Sequence, residues 1–92
     1  MEFEWDEVKR QSNFIKHQID FDVAKSLFDG RAFYEYPSGY TGEARFVRTG
    51  ILNQRWVTIV WTERNGKTRI ISARSARDGE RRAYRELHGG GN

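Results

Sequence analysis

Trp56-Val57-Thr58-Ile59-Val60-Trp61-Thr62-Glu63-Arg64-Asn65-Gly66-Lys67-Thr68-Arg69-Ile70-Ile71-Ser72-Ala73-Arg74 is the stretch that decides the fold. Asn65-Gly66 sits between two runs rich in β-branched and aromatic residues. A two-residue turn of the mirror-image type needs positive φ at both positions, which Asn and Gly tolerate, and it matches the right-handed twist of the strands it joins. With Arg64 opposite Lys67, Thr62 faces Arg69, Val60 faces Ile71 and Thr58 faces Ala73. One face of the hairpin then carries Trp56, Thr58, Val60, Thr62, Arg64, Lys67, Arg69 and Ile71. The other carries Val57, Ile59, Trp61 and Ile70, with Ser72 and Arg74 near its end. The second face is the more apolar and is expected to meet the helices. The first is expected to lie open, with a cationic end.

Outward from the hairpin, Ala44 to Ile51 and Phe33 to Tyr36 read as further strands, the latter stopped by Pro37-Ser38-Gly39. Asp6 is placed to cap a helix running to about His17. Trp5, Val8, Ser12, Ile15 and Ile19 trace its expected buried stripe and leave Lys9, Asn13 and Lys16 on a polar side. A second short helix begins at Asp20, with Val23, Ala24, Leu27 and Phe28 as its buried face and Gly30 as its stop. Asp78 to Leu87 closes the chain as a third helix. The order predicts an α+β fold: two N-terminal helices, an antiparallel sheet of about four strands and a C-terminal helix, with the helices mainly on one face. Residues 1–88 are expected to form a single domain and residues 89–92 a flexible Gly-rich tail.

Composition narrows the function. Sixteen Lys and Arg against 13 Asp and Glu leave a net charge of only +3, so the distribution matters more than the total. Six acidic residues lie in the first 22 positions, whereas Arg and Lys crowd Arg64 to Arg85. That concentration implies an anionic partner, with RNA as the expected one. The absence of cysteine removes disulfides and thiolate metal sites, and two distant histidines give no zinc spacing. No metal or cofactor is expected. No apolar run reaches membrane-spanning length and no signal-peptide pattern opens the chain, so a cytoplasmic protein without membrane contact is expected.

Cleaving RNA through its own 2′-hydroxyl requires stabilising a doubly charged phosphorane, a task that suits the planar donor fork of Arg. Arg64 and Arg69 on the open face, with Arg45 from the neighbouring strand, are candidates for that clamp, or else are solvated charges protecting a sheet edge. Arg74 lies in a more apolar setting; it either pairs with Glu43 or Glu80 or binds phosphate. Arg77, Arg81 and Arg85 recur every four residues, which is either a solvated helix face or a track for the phosphate backbone, which Lys67 would extend. His17 is either a general acid or base or a cap for its helix. Glu43 and Glu63 are further candidate bases, and Tyr34, Tyr36, Tyr40 and Trp56 are candidates for base stacking or for the core.

Phe3-Glu4-Trp5-Asp6-Glu7, Asn13 with Lys16-His17, Phe21 with Ala24 and Phe28-Asp29, Glu43-Ala44-Arg45-Phe46, Thr62-Glu63-Arg64, Arg69-Ile70-Ile71-Ser72-Ala73-Arg74 and Glu80-Arg81-Arg82-Ala83-Tyr84 together resemble the BrnT toxin family. The resemblance runs from Phe3 to about Glu86 and rests on order and spacing, no single motif being specific. It implies a RelE-like fold, a ribonuclease activity that halts translation, and a BrnA-like ribbon-helix-helix antitoxin through which alone the complex would meet operator DNA. A non-catalytic nucleic-acid-binding or partner-binding module is the alternative. Arg77, Arg81 and Arg85 are the expected antitoxin contacts, and helix 1 is set aside because its apolar stripe is assigned to the core. Two departures stand out. Gln18 occupies a place where the family usually has Gly, and Arg77 one where it often has Ser or Thr, so that the cap of the last helix is expected at Ser75 or Asp78.

Overall fold

The computed structural model describes residues 1–89; the expected tail beyond Gly89 lies outside them. Strand β1 (Phe3–Glu4) is followed by helix α1 (Glu7–His17), helix α2 (Phe21–Ala24) and a 3-10 turn (Lys25–Phe28). Strands β2 (Tyr34–Pro37), β3 (Arg45–Leu52), β4 (Arg55–Arg64) and β5 (Lys67–Ser75) come next, and helix α3 (Asp78–His88) ends the order. The fold is α+β, but its sheet has five strands in the order β1-β5-β4-β3-β2, and β1 runs parallel to β5. The expected four-stranded antiparallel arrangement is therefore corrected to a mixed sheet. Two residues are too few to show any period, so β1 left no pattern to read.

The hairpin forms as its turn residues require, with Asn65 at φ 54° and Gly66 at φ 77°. Its register follows expectation from Arg64↔Lys67 to Trp61↔Ile70 and then slips, because Val60 pairs with Ser72 and leaves Ile71 as a bulge. Beyond the bulge every β5 side chain changes face. Ala73 joins Ile59 on the apolar face, while Ser72 and Arg74 move to the opposite one, which corrects the expected placement of both.

α1, α2 and the 3-10 turn pack on the apolar face, where Phe21, Ala24, Leu27, Ile59 and Ala73 are fully buried. Gly50 of β3 makes this possible: a Cβ there would lie 2.6 Å from Cδ2 of Leu27. α3 lies on the other face instead, its Tyr84 ring edge-on to Trp56 with centroids 5.0 Å apart. The helices thus flank the sheet rather than gather on one side.

α1 is oriented by a polar residue. Asn13 is buried; its amide donates to the carbonyls of Ala73 (2.8 Å) and Ile19 (3.2 Å), and its oxygen accepts from the Ala73 N–H (3.2 Å). Beyond the end of β1, this side chain pairs with the β5 edge as a strand would. The expected stripe holds only at its ends, where Trp5 packs on the core and Ile19 is buried; Val8 and Ile15 are 75% and 77% exposed, and Val23 of α2 is 46% exposed while Ala24 and Leu27 are buried as expected. Asp6 caps α1 as expected, accepting from the N–H groups of Val8 and Lys9. Gln18 takes the left-handed position at φ 61°, conformational work that Gly does without a Cβ.

Candidate functional site

Cross-strand pairs share a face, so the register arranges side chains in rows across the sheet. On the face away from α1, one row is Arg45–Thr62–Arg69, and Arg64–Lys67 lies just outside it. With strands about 4.8 Å apart, Arg45 and Arg69 start roughly 10 Å from each other, close enough for two long guanidinium side chains to bracket one phosphate. Thr62 between them is buried and donates to the Ala44 carbonyl at 2.6 Å, which ties the loop before β3 to the sheet. The next rows inward are Tyr36–Val47–Val60–Ser72 and Tyr34–Thr49–Thr58–Arg74.

Carboxylates hold the outer arginines in place. Glu43 bridges Arg64 at 2.6 Å and Arg45 at 3.1 Å, and Arg45 also lies over the Tyr40 ring at 3.7 Å. Arg69 pairs with Glu4 of β1 at 3.1 Å. The hydrogen bond from Arg64 keeps the Glu43 carboxyl below its usual range despite some desolvation. Glu43 is thereby a good acceptor and a poor proton-abstracting group. Glu63, the other candidate base, pairs with Thr68 on the opposite face and stands apart from these rows.

Arg74 belongs to the inner cluster, and its partner is Glu80. The two form a bidentate pair with both bonds at 2.8 Å. Glu80 is 6% exposed and also accepts from the Tyr36 hydroxyl (2.6 Å), the Thr58 hydroxyl (3.1 Å) and the Arg77 N–H (2.9 Å). Burial pushes its carboxyl up, but the bonds from Arg74, Arg77 and Tyr36 outweigh that and bring it down to about 2. An ionised carboxylate with its lone pairs occupied is a structural hub. It also caps α3: the helix starts after Arg77, whose side chain has no acceptor, and Glu80 reaches back to the Arg77 N–H. The expected caps at Ser75 or Asp78 are replaced by this contact. Burial, and then the bond to Glu80, raises the Tyr36 hydroxyl, so it remains a neutral donor.

Arg77 itself is exposed and has no carboxylate partner among the described residues. With Tyr34, Tyr36, Gly79 and Glu80 it lines a cleft of about 460 Å³, in which the two tyrosine rings lie 5.7 Å apart. The other cations of α3 differ from it. Arg81 pairs with Asp78 and donates to the Ala76 carbonyl, and Arg85 lies over the Trp56 ring at 5.2 Å. The four-residue repeat is real, but its three members have three environments.

His17 is apart from the arginine rows. It lines a cleft of about 360 Å³ with Lys9, Ser12, Asn13, Lys16, Ile71 and Ser72, between α1 and the β5 edge. Its carbonyl accepts from Arg55 at 3.0 Å. Among the described residues its ring makes no hydrogen bond, and Gln18 supplies the helix end instead. Sequence reading placed Lys9 and Lys16 on a polar helix side and did not connect them with Ser72; their seven-residue separation on one helix face was the available signal.

Among the described residues no helix is long and apolar enough to cross a membrane. No curated protein matches the chain. The family model described as ribonuclease toxin, BrnT, of type II toxin–antitoxin system matches residues 5–80, ending on the glutamate that organises the inner cluster. With every element except β1 and most of α3 inside that match, the protein belongs to the BrnT family of ribonuclease toxins.

Proposed function

We propose that the chain is a metal-independent endoribonuclease that cleaves RNA through the substrate's 2′-hydroxyl and so halts translation. The observation that carries this reading is the Arg45–Thr62–Arg69 row with Arg64 and Lys67 beside it, on one face of the sheet. Three guanidinium groups so placed balance the negative charge that a phosphorane develops, and an entering phosphate replaces Glu43 and Glu4 as their partner. Tyr34 and Tyr36 offer ring faces to a neighbouring base, and Arg77, Lys67 and Arg81 follow the backbone. Arg74 positions this edge of the sheet through Glu80, and His17, apart from the arginine rows in the α1–β5 cleft, serves the substrate strand there rather than at the scissile phosphate. Purified protein is expected to cleave single-stranded RNA in excess chelator. Activity that disappears in chelator and returns with zinc or magnesium refutes the metal-independent mechanism.

The antitoxin that a type II system implies is proposed to be BrnA-like, a ribbon-helix-helix protein that meets operator DNA itself. It is proposed to bind at Arg77, Arg81 and Arg85 with an acidic segment, where opposite charge speeds encounter. Reversing charge at Arg77 and Arg81 together is expected to weaken the complex, most visibly at low salt. Unchanged affinity there moves the interface to α1 and α2, whose Val8, Phe14, Ile15 and Val23 are exposed and not committed to the core.

A further inference from the structure

We propose that the cleft between α1 and the edge of β5 binds a backbone phosphate of the RNA, so that the substrate strand crosses the sheet from Tyr36 towards α1. The inference rests on the RNA-cleaving reading above and adds a second anchoring point to it.

The helix dictates the shape of this site. Lys9, Ser12 and Lys16 lie at spacings of three and four residues, hence on one face, and the two lysines are about 10 Å apart along the axis. Both are on long flexible stems, so their ammonium groups can converge on an anion held between them. Ser72 of β5 lines the far side of the cleft, with its side chain on the sheet face away from α1, and His17 stands at the end. Asn13 forms the floor and is not a ligand, since its amide is engaged by Ala73 and Ile19. The cleft exists because β1 stops opposite Arg69 and the bulge at Ile71 turns Ser72 towards the substrate face.

Among the described residues Lys9, Lys16, Arg55, Lys67, Arg77, Arg82 and Arg85 have no carboxylate partner, and two of these seven, Lys9 and Lys16, line one cleft that holds no Asp or Glu. Arg10, Lys25, Arg31, Arg45, Arg48, Arg64, Arg69, Arg74 and Arg81 each have a carboxylate partner. On the opposite flank of α1, Glu7 and Asp20 occupy Arg10. An anion entering beside Lys9 and Lys16 therefore displaces only water.

Position supplies the second argument. Ser72 belongs to the row that begins with Tyr36, one row in from Arg45–Thr62–Arg69. Four strands at about 4.8 Å separation put the ends of that row roughly 14 Å apart, and the cleft continues the line beyond β5. A strand whose base stacks on Tyr36 and whose scissile phosphate lies by the arginines runs on into the lysines. Lysine reads phosphate as a point charge, so this contact adds affinity without sequence preference.

The test is binding of a short single-stranded 2′-O-methyl RNA, which lacks the attacking hydroxyl, followed across a salt series. For the Lys9→Ala/Lys16→Ala variant the expected result is weaker binding at low salt and a slope of log affinity against log salt reduced by about 1.4, two contacts at about 0.7 each. Lys25→Ala, which removes a cation paired with Asp22 on α2, serves as the control and is expected to match wild type. A double variant with wild-type affinity and slope overturns the inference and leaves the cleavage reading standing. Equal loss per charge in Lys25→Ala also overturns it, by showing a diffuse field. A wild-type protein that does not bind the oligonucleotide overturns the cleavage reading and this inference together.

Discussion

Replacing Glu80 by glutamine is expected to destabilise the protein by about 3 kcal/mol at neutral pH, because breaking a buried ion pair leaves its partner charge uncompensated. The side chains of Arg74 and Glu80 are 17% and 7% exposed, so solvent screens the loss poorly. For a domain of this size that corresponds to a fall in Tm of roughly 12–24 °C. The pH dependence has a definite sign. The folded carboxyl lies near 2, below its ordinary value of 4.5, so its stabilisation is present above the ordinary value and is lost as pH falls towards 2. The gap between wild type and variant should therefore shrink on acidification, over the same pH range. Arg74→Ala is expected to behave alike, and Tyr36→Phe, which removes one of several donors, to cost about 1 kcal/mol. Should Glu80→Gln fail to fold, the Tyr36 variant still reports on the cluster. Melting temperatures of Glu80→Gln and wild type within two or three degrees at about neutral pH would show that the cluster is not a structural hub.

Arg64→Ala and Arg69→Ala should each slow RNA cleavage by roughly 10²–10³-fold, the usual cost of removing one group that stabilises developing negative charge. Their stability effects should be small by comparison. Arg64 is 43% exposed at the end of its strand, and an exposed pair contributes about 0–1 kcal/mol. Arg69 ties β1 to the sheet through Glu4, so a slightly larger loss is expected there. Glu43 keeps Arg45 as a partner when Arg64 is removed, so no stranded charge complicates the comparison. Cleavage rates near wild type in both variants would remove the arginine row from the mechanism. Parallel loss of rate and of melting temperature would make it structural.

How much of this was readable beforehand depended on which residues carry ordinary local signals. Asp6 as a cap and Asn65-Gly66 as a turn are local devices, and both stand where expected. Trp61 to Arg64 paired as predicted for the same reason: the turn sets the register nearby. The bulge at Ile71 has no signal in alternating hydrophobicity, and one skipped residue was enough to send Arg74 to the other face. Helix α1 was misread for a different reason. Periodicity assumes that the buried side is apolar, whereas here a polar Asn13 is buried because it satisfies the backbone of an edge strand. Glu80 was legible as one of two partners for Arg74. Its further bonds to Tyr36 and Thr58 were not, since they depend on α3 crossing the sheet on the side opposite α1.

The most direct test of the arginine face as a cleavage site is the chemistry of the product ends made in chelator. Attack by the neighbouring 2′-hydroxyl leaves a 2′,3′-cyclic phosphate on one fragment and a 5′-hydroxyl on the other, and that pair is the predicted result, strongly reduced in Arg64→Ala. Fragments ending in 3′-hydroxyl and 5′-phosphate, or no cleavage by the folded wild-type protein, would contradict it.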